Sequence, residues 1–184
     1  TYRDVICYAA DQYGGSGAIF VSNTYQPSSN PGPAAAHFAE VEVDTLTGLC
    51  RLTAYTAAHD VGKAINPELC RGQVGSALQQ GMGLVFCEQV KIDPKTGQPL
   101  NATLQRYHVA RAYDFPHIET VLVENGSPEG PYGAKSIGES CFVPVAPALL
   151  AAVNDALQTD LTTLPLTPEK IIRAVQEKRK EASL

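Results

Sequence analysis

The sequence predicts an α+β fold, with a mixed or antiparallel sheet and helices packed against it. Two strand-like stretches, residues 37–44 and 49–58, flank the short segment 45–48, which ends in Gly48. A glycine-containing connection of this length predicts a hairpin. Asn66 followed by Pro67 is typical of a helix start, because Asn caps free amides and Pro fits the first helical position. The combination of a hairpin with helices favours the α+β class.

The strands are predicted from alternation and composition. The apolar positions of the first strand are Phe38, Val41 and Val43, and its polar positions are Glu40, Glu42 and Asp44. Such alternation indicates a half-buried strand. Further strands are predicted at residues 84–92, before the turn 93–97, and at residues 118–123.

Three helices are predicted. The helix after the asparagine cap is expected to run to about Gln80, because Gly81 and Gly83 follow and glycine often ends helices. A second helix is predicted over about residues 145–157. The last begins at residues 167–169, and the basic residues 178–180 at its end suit the helix dipole.

The first 35 residues are predicted to be an N-terminal segment and linker, and residues 36–184 a C-terminal domain. An apolar run at residues 4–10 precedes a glycine-rich break at 14–17, and residues 26–34 are rich in turn-forming residues. The chain begins with Thr1 rather than Met, so a fragment or a processed subunit is expected.

Composition limits the classes of partner. The net charge is −5, the pI is near 5.3 and the sequence has no basic run longer than residues 178–180, which disfavours nucleic acid and anionic membranes. No apolar stretch approaches the length of a membrane span, and no signal peptide opens the chain. The five cysteines are widely spaced, which disfavours a zinc site or a disulfide framework and fits a reducing cytoplasm.

The most informative segment is residues 130–139, Gly-Pro-Tyr-Gly-Ala-Lys-Ser-Ile-Gly-Glu, which we call the glycine loop. Glycines allow positive φ angles and close approach of a ligand to the backbone. Glu139 at its end is a candidate general base, because burial in a crevice raises the pKa of a carboxyl. The alternative is an ordinary tight loop with a solvated glutamate.

Glutamines mark the helix that follows Asn66. Gln73 and Gln80 lie seven residues apart and share one helix face, with Ser76 and Ala77 between them. A buried glutamine amide both donates and accepts hydrogen bonds, which suits the edge of a heterocycle such as a pterin. The alternative is a solvated polar face.

Histidine and cysteine offer weaker candidates. His59 and Asp60 are adjacent on a predicted strand and therefore point to opposite faces, so structural roles are favoured, with Asp60 bonding turn amides. The other histidines, His37, His108 and His117, show no metal-ligand spacing and are expected to be surface or satisfied core residues. Cys141 precedes a predicted helix, where a lowered thiol pKa would suit a nucleophile, giving a thiol hydrolase as one alternative.

Three segments in order resemble one family. They are residues 58–67 (AHDVGKAINP), 71–83 (RGQVGSALQQGMG) and the glycine loop. Together they are similar to the C-terminal part of the molybdenum-binding subunit of the xanthine dehydrogenase/aldehyde oxidase family, over about residues 36–175. Where many purine-oxidising relatives follow the glutamate with Pro-Pro, this chain has Ser140-Cys141.

The resemblance implies a molybdenum hydroxylase that oxidises an N-heterocycle or an aldehyde with oxygen derived from water. Glu139 would be the general base, Gln73 would hydrogen-bond the pterin, and the backbone of Gly138 would lie against the cofactor, with Gln80 on the same face. Molybdenum would be held by the dithiolene of molybdopterin rather than by protein ligands.

The resemblance also implies that this chain supplies only part of an active site. The remainder of the molybdenum subunit would complete it, and partner chains or domains would carry iron–sulfur clusters and FAD. The pterin is expected to carry a cytosine nucleotide if the protein follows the bacterial members. The alternative is a non-catalytic relative that keeps the fold for assembly.

Overall fold

Three strands form one mixed sheet, which confirms the predicted α+β class. The computed structural model describes residues 1–13, 21–29 and 32–182, so the predicted break at residues 14–17 lies outside the described residues. The strands are β1 (Ala34–Val43), β2 (Cys50–Asp60) and β3 (Ile118–Val123), in the order β1-β2-β3. β1 pairs antiparallel with β2, and β3 pairs parallel with β2. A first helix, α1 (Tyr2–Tyr13), precedes the sheet.

The predicted hairpin is present, with one error in the assignment of its faces. Asp44 closes the turn by accepting a hydrogen bond from the Leu46 amide at 2.8 Å, and Gly48 has a φ of +73°. Val41 and Val43 pack against the core, as predicted. Phe38 is 63% exposed, because it shares its side of β1 with Glu40 rather than with the valines.

The helix α2 (Pro67–Met82) begins as predicted and ends later than predicted. Asn66 is its N-cap and accepts a hydrogen bond from the Leu69 amide at 3.1 Å. Gly81 does not stop the helix. It is buried, and a Cβ atom there would collide with the Val145 side chain, so the glycine allows two helices to approach.

The prediction of a strand at residues 84–92 is wrong. The chain continues from α2 into a π-helical turn, Gly83–Cys87, and Ile92 forms only an isolated bridge with Pro99. Val85 is fully buried, and its carbonyl accepts a hydrogen bond from the Leu166 amide at 2.6 Å. A short apolar run does not distinguish a buried strand from a buried helical turn, which explains the error.

The last two helices agree with the sequence. They are α3 (Val145–Leu157) and α4 (Pro168–Glu181). α3 packs on the sheet and against α2, and its buried residues are Val145, Leu149, Val153 and Leu157. By length and composition, the stretch Glu139–Leu157 would be able to cross a membrane, so the expectation that no apolar stretch approaches that length was wrong. In this fold Val145, Leu149, Val153 and Leu157 of the stretch are buried in the core.

Three polar rings meet on the core face of the sheet. His37 Nδ1 lies 2.7 Å from the Tyr55 hydroxyl oxygen, and His37 Nε2 lies 2.8 Å from His59 Nε2. Tyr55 and His59 are each 1% exposed. The pairing of β1 with β2 brings the rings together, which a sequence without its strand register does not reveal. One of the two facing Nε2 atoms carries hydrogen and the other accepts it, so the two rings cannot both be protonated without losing this bond.

We expect acid to destabilise the fold through these histidines. Burial lowers the pKa of His37 from 6.5 to about 4 and also lowers the pKa of His59. The unfolded chain therefore binds more protons than the native state below pH 6.5. The contribution of the histidines to the free energy of unfolding is fully present above that pH and is lost as pH falls towards 4. The loss between pH 7 and 4.5 should be about 2 kcal/mol.

Urea unfolding across this pH range measures the effect. Replacing His37 by Gln keeps a polar side chain and removes one titrating ring, so the pH dependence should become shallower. An unchanged slope in the variant would contradict the assignment. Carboxylates such as Asp60, whose pKa is held below 3.8 by the hydrogen bond from Lys135, act in a more acidic range.

Candidate active site

The glycine loop is shaped mainly by its own backbone. Gly133 has a φ of +82°, and a Cβ on Gly130 would collide with the Ala134 carbonyl. Tyr132 has a φ of +55°, which is uncommon for a residue with a side chain, and its ring is 91% exposed. The first two glycines are therefore required for the turn itself, whether or not a ligand approaches them.

The second half of the loop is held by bonds to the end of β2 and by packing against the core. The Lys135 amide donates to the Val61 carbonyl at 2.8 Å, and its ammonium donates to Asp60 Oδ2 at 2.6 Å. Ile137 packs against the core, and Cys141 just past the loop is fully buried. Inward-facing residues thus fix a segment whose outward residues include Glu139.

Gly138 and Glu139 lie on the surface of the described chain. Apart from its two chain neighbours, no described residue has an atom within 4 Å of the position that a Cβ on Gly138 would occupy, and its φ of −57° is open to any residue. No contact within the described chain therefore requires glycine there. Glu139 is exposed, so the described residues do not supply the partial desolvation expected of a general base.

The predicted glutamine face exists on α2. Gln73, Ser76 and Gln80 are exposed, whereas Ala77, predicted between them, is buried. The Gln80 amide donates to Ser76 Oγ at 3.3 Å, and the Gln73 amide has no hydrogen-bond partner among the described residues. Gln73 is therefore available to a ligand.

The flank of this helix is also open. Outside the backbone of α2 itself, a Cβ on Gly72 or on Gly75 would meet no atom of the described residues within 4 Å. Glycine inside a helix costs about 1 kcal/mol relative to alanine, and here no intrachain contact compensates for that cost. The turn Glu139–Cys141, at the end of the glycine loop, contacts α2, the helix that carries these residues.

The thiol alternative does not agree with the structure. Cys141 is fully buried, and burial raises the pKa of its thiol to about 11. A protonated, inaccessible sulfur is a poor nucleophile. The expectation of a lowered pKa was wrong because the desolvation of Cys141 outweighs its position before α3. All five cysteines are free thiols.

The two residues of the His59-Asp60 pair have separate roles, as predicted. His59 faces the core, whereas Asp60 accepts a hydrogen bond from the Gly62 amide at 3.0 Å. The bond between Asp60 and Lys135 was not predicted. Its only sequence signal is one acidic and one basic residue in two separate motifs. Among residues 1–13, 21–29 and 32–182, no group of three or more His, Cys, Asp and Glu side chains is placed to hold a metal ion.

A cavity of about 1070 Å³ lies apart from these residues, between the start of β2, the end of α2 and residues 104–117. His108 and His117, which are distant in sequence, both line it together with Tyr107 and Phe115. None of Gln73, Gln80, Gly138 or Glu139 belongs to its wall. The predicted site residues therefore lie on an open surface and not in this cavity.

Comparison with known proteins supports the family resemblance. The sequence profile of the family described as molybdopterin cofactor-binding domain matches residues 3–116. The putative xanthine dehydrogenase molybdenum-binding subunit of Escherichia coli (strain K12) is 34% identical over 157 residues, which are 84% of this chain and 21% of that protein. The probable hypoxanthine oxidase of the same strain is 36% identical over 164 residues, which are 89% of this chain and 17% of that protein.

The fold is shared with a solved enzyme. The crystal structure of quinoline 2-oxidoreductase from Pseudomonas putida 86 matches with a TM-score of 0.72 and 38% identity, over 77% of this chain and 18% of that chain. The chain spans about a fifth of the length of the curated relatives. Since the family profile covers more than half of the chain, the chain belongs to the molybdopterin cofactor-binding family, within the molybdenum-binding subunits of the xanthine dehydrogenase type.

Proposed function

We propose that this chain forms one wall of a molybdenum hydroxylase active site, with Glu139 as the general base. The enzyme would oxidise an N-heterocycle or an aldehyde with oxygen derived from water. The observation that carries the proposal is the exposed Glu139 at the end of an anchored loop, in a turn that contacts α2, the helix that bears Gln73 and Gln80. A base needs this combination of a fixed backbone and an accessible carboxylate.

The described residues fit a large planar cofactor. The absence of neighbours at Gly138, Gly72 and Gly75 leaves room for a ligand against the backbone. The unpartnered Gln73 amide has one donor group and one acceptor atom to offer to a pterin edge. Molybdopterin holds its metal through its own sulfur atoms, which is consistent with a wall made of glutamine and glycine.

Each residue then has a defined task. Gln73 binds and orients the pterin, with Gln80 on the same face, and the Gly138 backbone allows close approach. The Glu139 carboxylate takes the proton from the water-derived oxygen that attacks an electron-poor carbon of the substrate. The cofactor, when bound, supplies the redox chemistry.

The rest of the site would come from other parts of the enzyme. We place the C-terminal domain at residues 36–184 and the linker before it, and we propose that the remainder of the molybdenum subunit closes over Glu139 and desolvates it. We propose that the cofactor is molybdopterin cytosine dinucleotide, and that partner chains or domains carry iron–sulfur clusters and FAD. This chain alone should be inactive.

Replacing Gln73 by Leu should lower the molybdenum and pterin content of the natively purified complex. The variant removes the amide but keeps the side-chain size, so a pterin group loses its partner. A lost hydrogen bond of this kind costs about 1–3 kcal/mol, which corresponds to roughly 5- to 150-fold weaker retention. Plasma mass spectrometry measures molybdenum per subunit, and fluorescence of the oxidised pterin measures the organic part.

The matched control is Gln98→Leu, which makes the same change in an exposed turn away from α2. It should retain about one molybdenum per subunit, as should the unaltered complex. An unaltered complex without molybdenum or pterin would contradict the hydroxylase proposal and favour a non-catalytic relative. Full molybdenum content in the Gln73 variant would contradict the role of Gln73 alone.

A further inference from the structure

A largely buried ion pair joins two of the three motifs. Lys135 Nζ lies 2.6 Å from Asp60 Oδ2, and the two side chains are only 14% and 21% exposed. Asp60 ends β2, whereas Lys135 lies in the glycine loop, 75 residues later. A charge-assisted bond that is shielded from water is stronger and more directional than a surface ion pair.

The backbone around the pair is interlocked. The Lys135 amide donates to the Val61 carbonyl, and the Gly126 amide donates to the Gly62 carbonyl at 2.7 Å. Gly62 has a φ of +64°, and a Cβ there would collide with the Gly133 carbonyl. The end of β2 therefore packs closely against the glycine loop, and the Lys135 side chain bonds the loop to it.

Lys135, one member of the pair, lies four residues before Glu139. Between them the chain alternates, with Ile137 turned to the core and Ser136 and Gly138 exposed. Past Glu139 the chain is fixed again by the buried Cys141. Glu139 therefore lies on a short segment that is held at Lys135, at Ile137 and at Cys141.

We propose that Lys135 is a positioning residue for the hydroxylation reaction, and that its ion pair with Asp60 sets the place from which Glu139 takes the proton. The inference rests on the proposed function of Glu139. Lys135 acts through the loop and not on the substrate. A displacement of about 1 Å at a reacting group lowers rates by up to about 100-fold, so a loosened loop should affect turnover more than substrate binding.

The test is steady-state kinetics of the intact molybdenum enzyme carrying variants of this chain. Lys135→Gln should lower kcat at least tenfold, with KM and molybdenum content within twofold of the unaltered enzyme. Lys135→Arg keeps the charge and should retain kcat within about threefold. Lys63→Gln is the matched control, because Lys63 binds Glu124 at 3.2 Å in a more exposed pair nearby, and it should have no effect.

A double variant separates positioning from folding. Asp60→Asn with Lys135→Gln leaves no unpaired buried charge, so its thermal midpoint should recover towards that of the unaltered enzyme. Under the proposal its kcat stays low. Recovery of kcat together with the midpoint would overturn the proposal, as would loss of molybdenum in proportion to activity.

Glu139→Gln, measured in the same series, keeps the two proposals distinguishable. Loss of turnover in the Glu139 variant with normal turnover in Lys135→Gln would overturn the positioning role alone. Normal turnover in the Glu139 variant would overturn the base assignment and the positioning role with it. If Lys135→Gln does not fold, the double variant decides between the same outcomes.

Discussion

Replacing Glu139 by Gln in the intact enzyme should lower turnover by at least about 100-fold, the usual size of a general-base contribution. Glutamine has nearly the same shape but does not accept the proton. Glu139 is exposed on this chain and makes no side-chain hydrogen bond to the described residues, so the change should not destabilise the fold. Molybdenum and pterin content should therefore stay unchanged.

The measurement is kcat at saturating substrate together with molybdenum per subunit. Glu40→Gln is the control, since Glu40 is an exposed carboxylate on the outer side of β1 and remote from the glycine loop in sequence. That variant should behave as the unaltered enzyme does. Turnover near the normal value in the Glu139 variant, with molybdenum retained, would rule out Glu139 as the base.

Local chemistry was sufficient to predict the elements that depend on neighbouring residues. The Asn66 cap, the strand Ile118–Val123 and the helix Val145–Leu157 lie where the sequence places them. The parallel pairing of β3 with β2 was beyond sequence reasoning, because about 60 residues separate the strands. Gly81 was misread for a related reason. Its function depends on Val145, a distant residue that packs against it.

In the candidate site, too, features set by neighbouring residues were predictable and features set by distant contacts were not. Helical periodicity predicts that Gln73 and Gln80 share one face, whereas their exposure is seen only in the fold and their cofactor role rests on the family resemblance. The glycine loop was recognised as a motif, yet only the fold shows that Gly130 and Gly133 are needed for the turn, whereas Gly138 is open to a ligand. The bond from Lys135 to Asp60 and the ring cluster of His37, Tyr55 and His59 depend on strand ends and register, which no local pattern encodes.

Replacing Gly62 by Ala should destabilise the protein by about 2–5 kcal/mol, because two separate costs add there. The backbone has a φ of +64°, which costs a residue with a Cβ about 1–2 kcal/mol. The new methyl group would also collide with the Gly133 carbonyl and lie 3.2 Å from the Lys135 amide nitrogen. Both atoms belong to the glycine loop, so the collision would displace the loop from the end of β2.

Gly97→Ala isolates the collision from the backbone cost. Gly97 has a φ of +72°, close to that of Gly62, but in the described part of the chain no atom beyond its two neighbours lies within 4 Å of where its Cβ would be. This variant should lose only about 1–2 kcal/mol, measured by urea unfolding alongside the Gly62 variant. Equal losses in the two variants would show that the loop yields freely to the methyl group. A larger loss of stability in the Gly62 variant would show that the loop is held rigidly against the end of β2, as a fixed position for Glu139 requires.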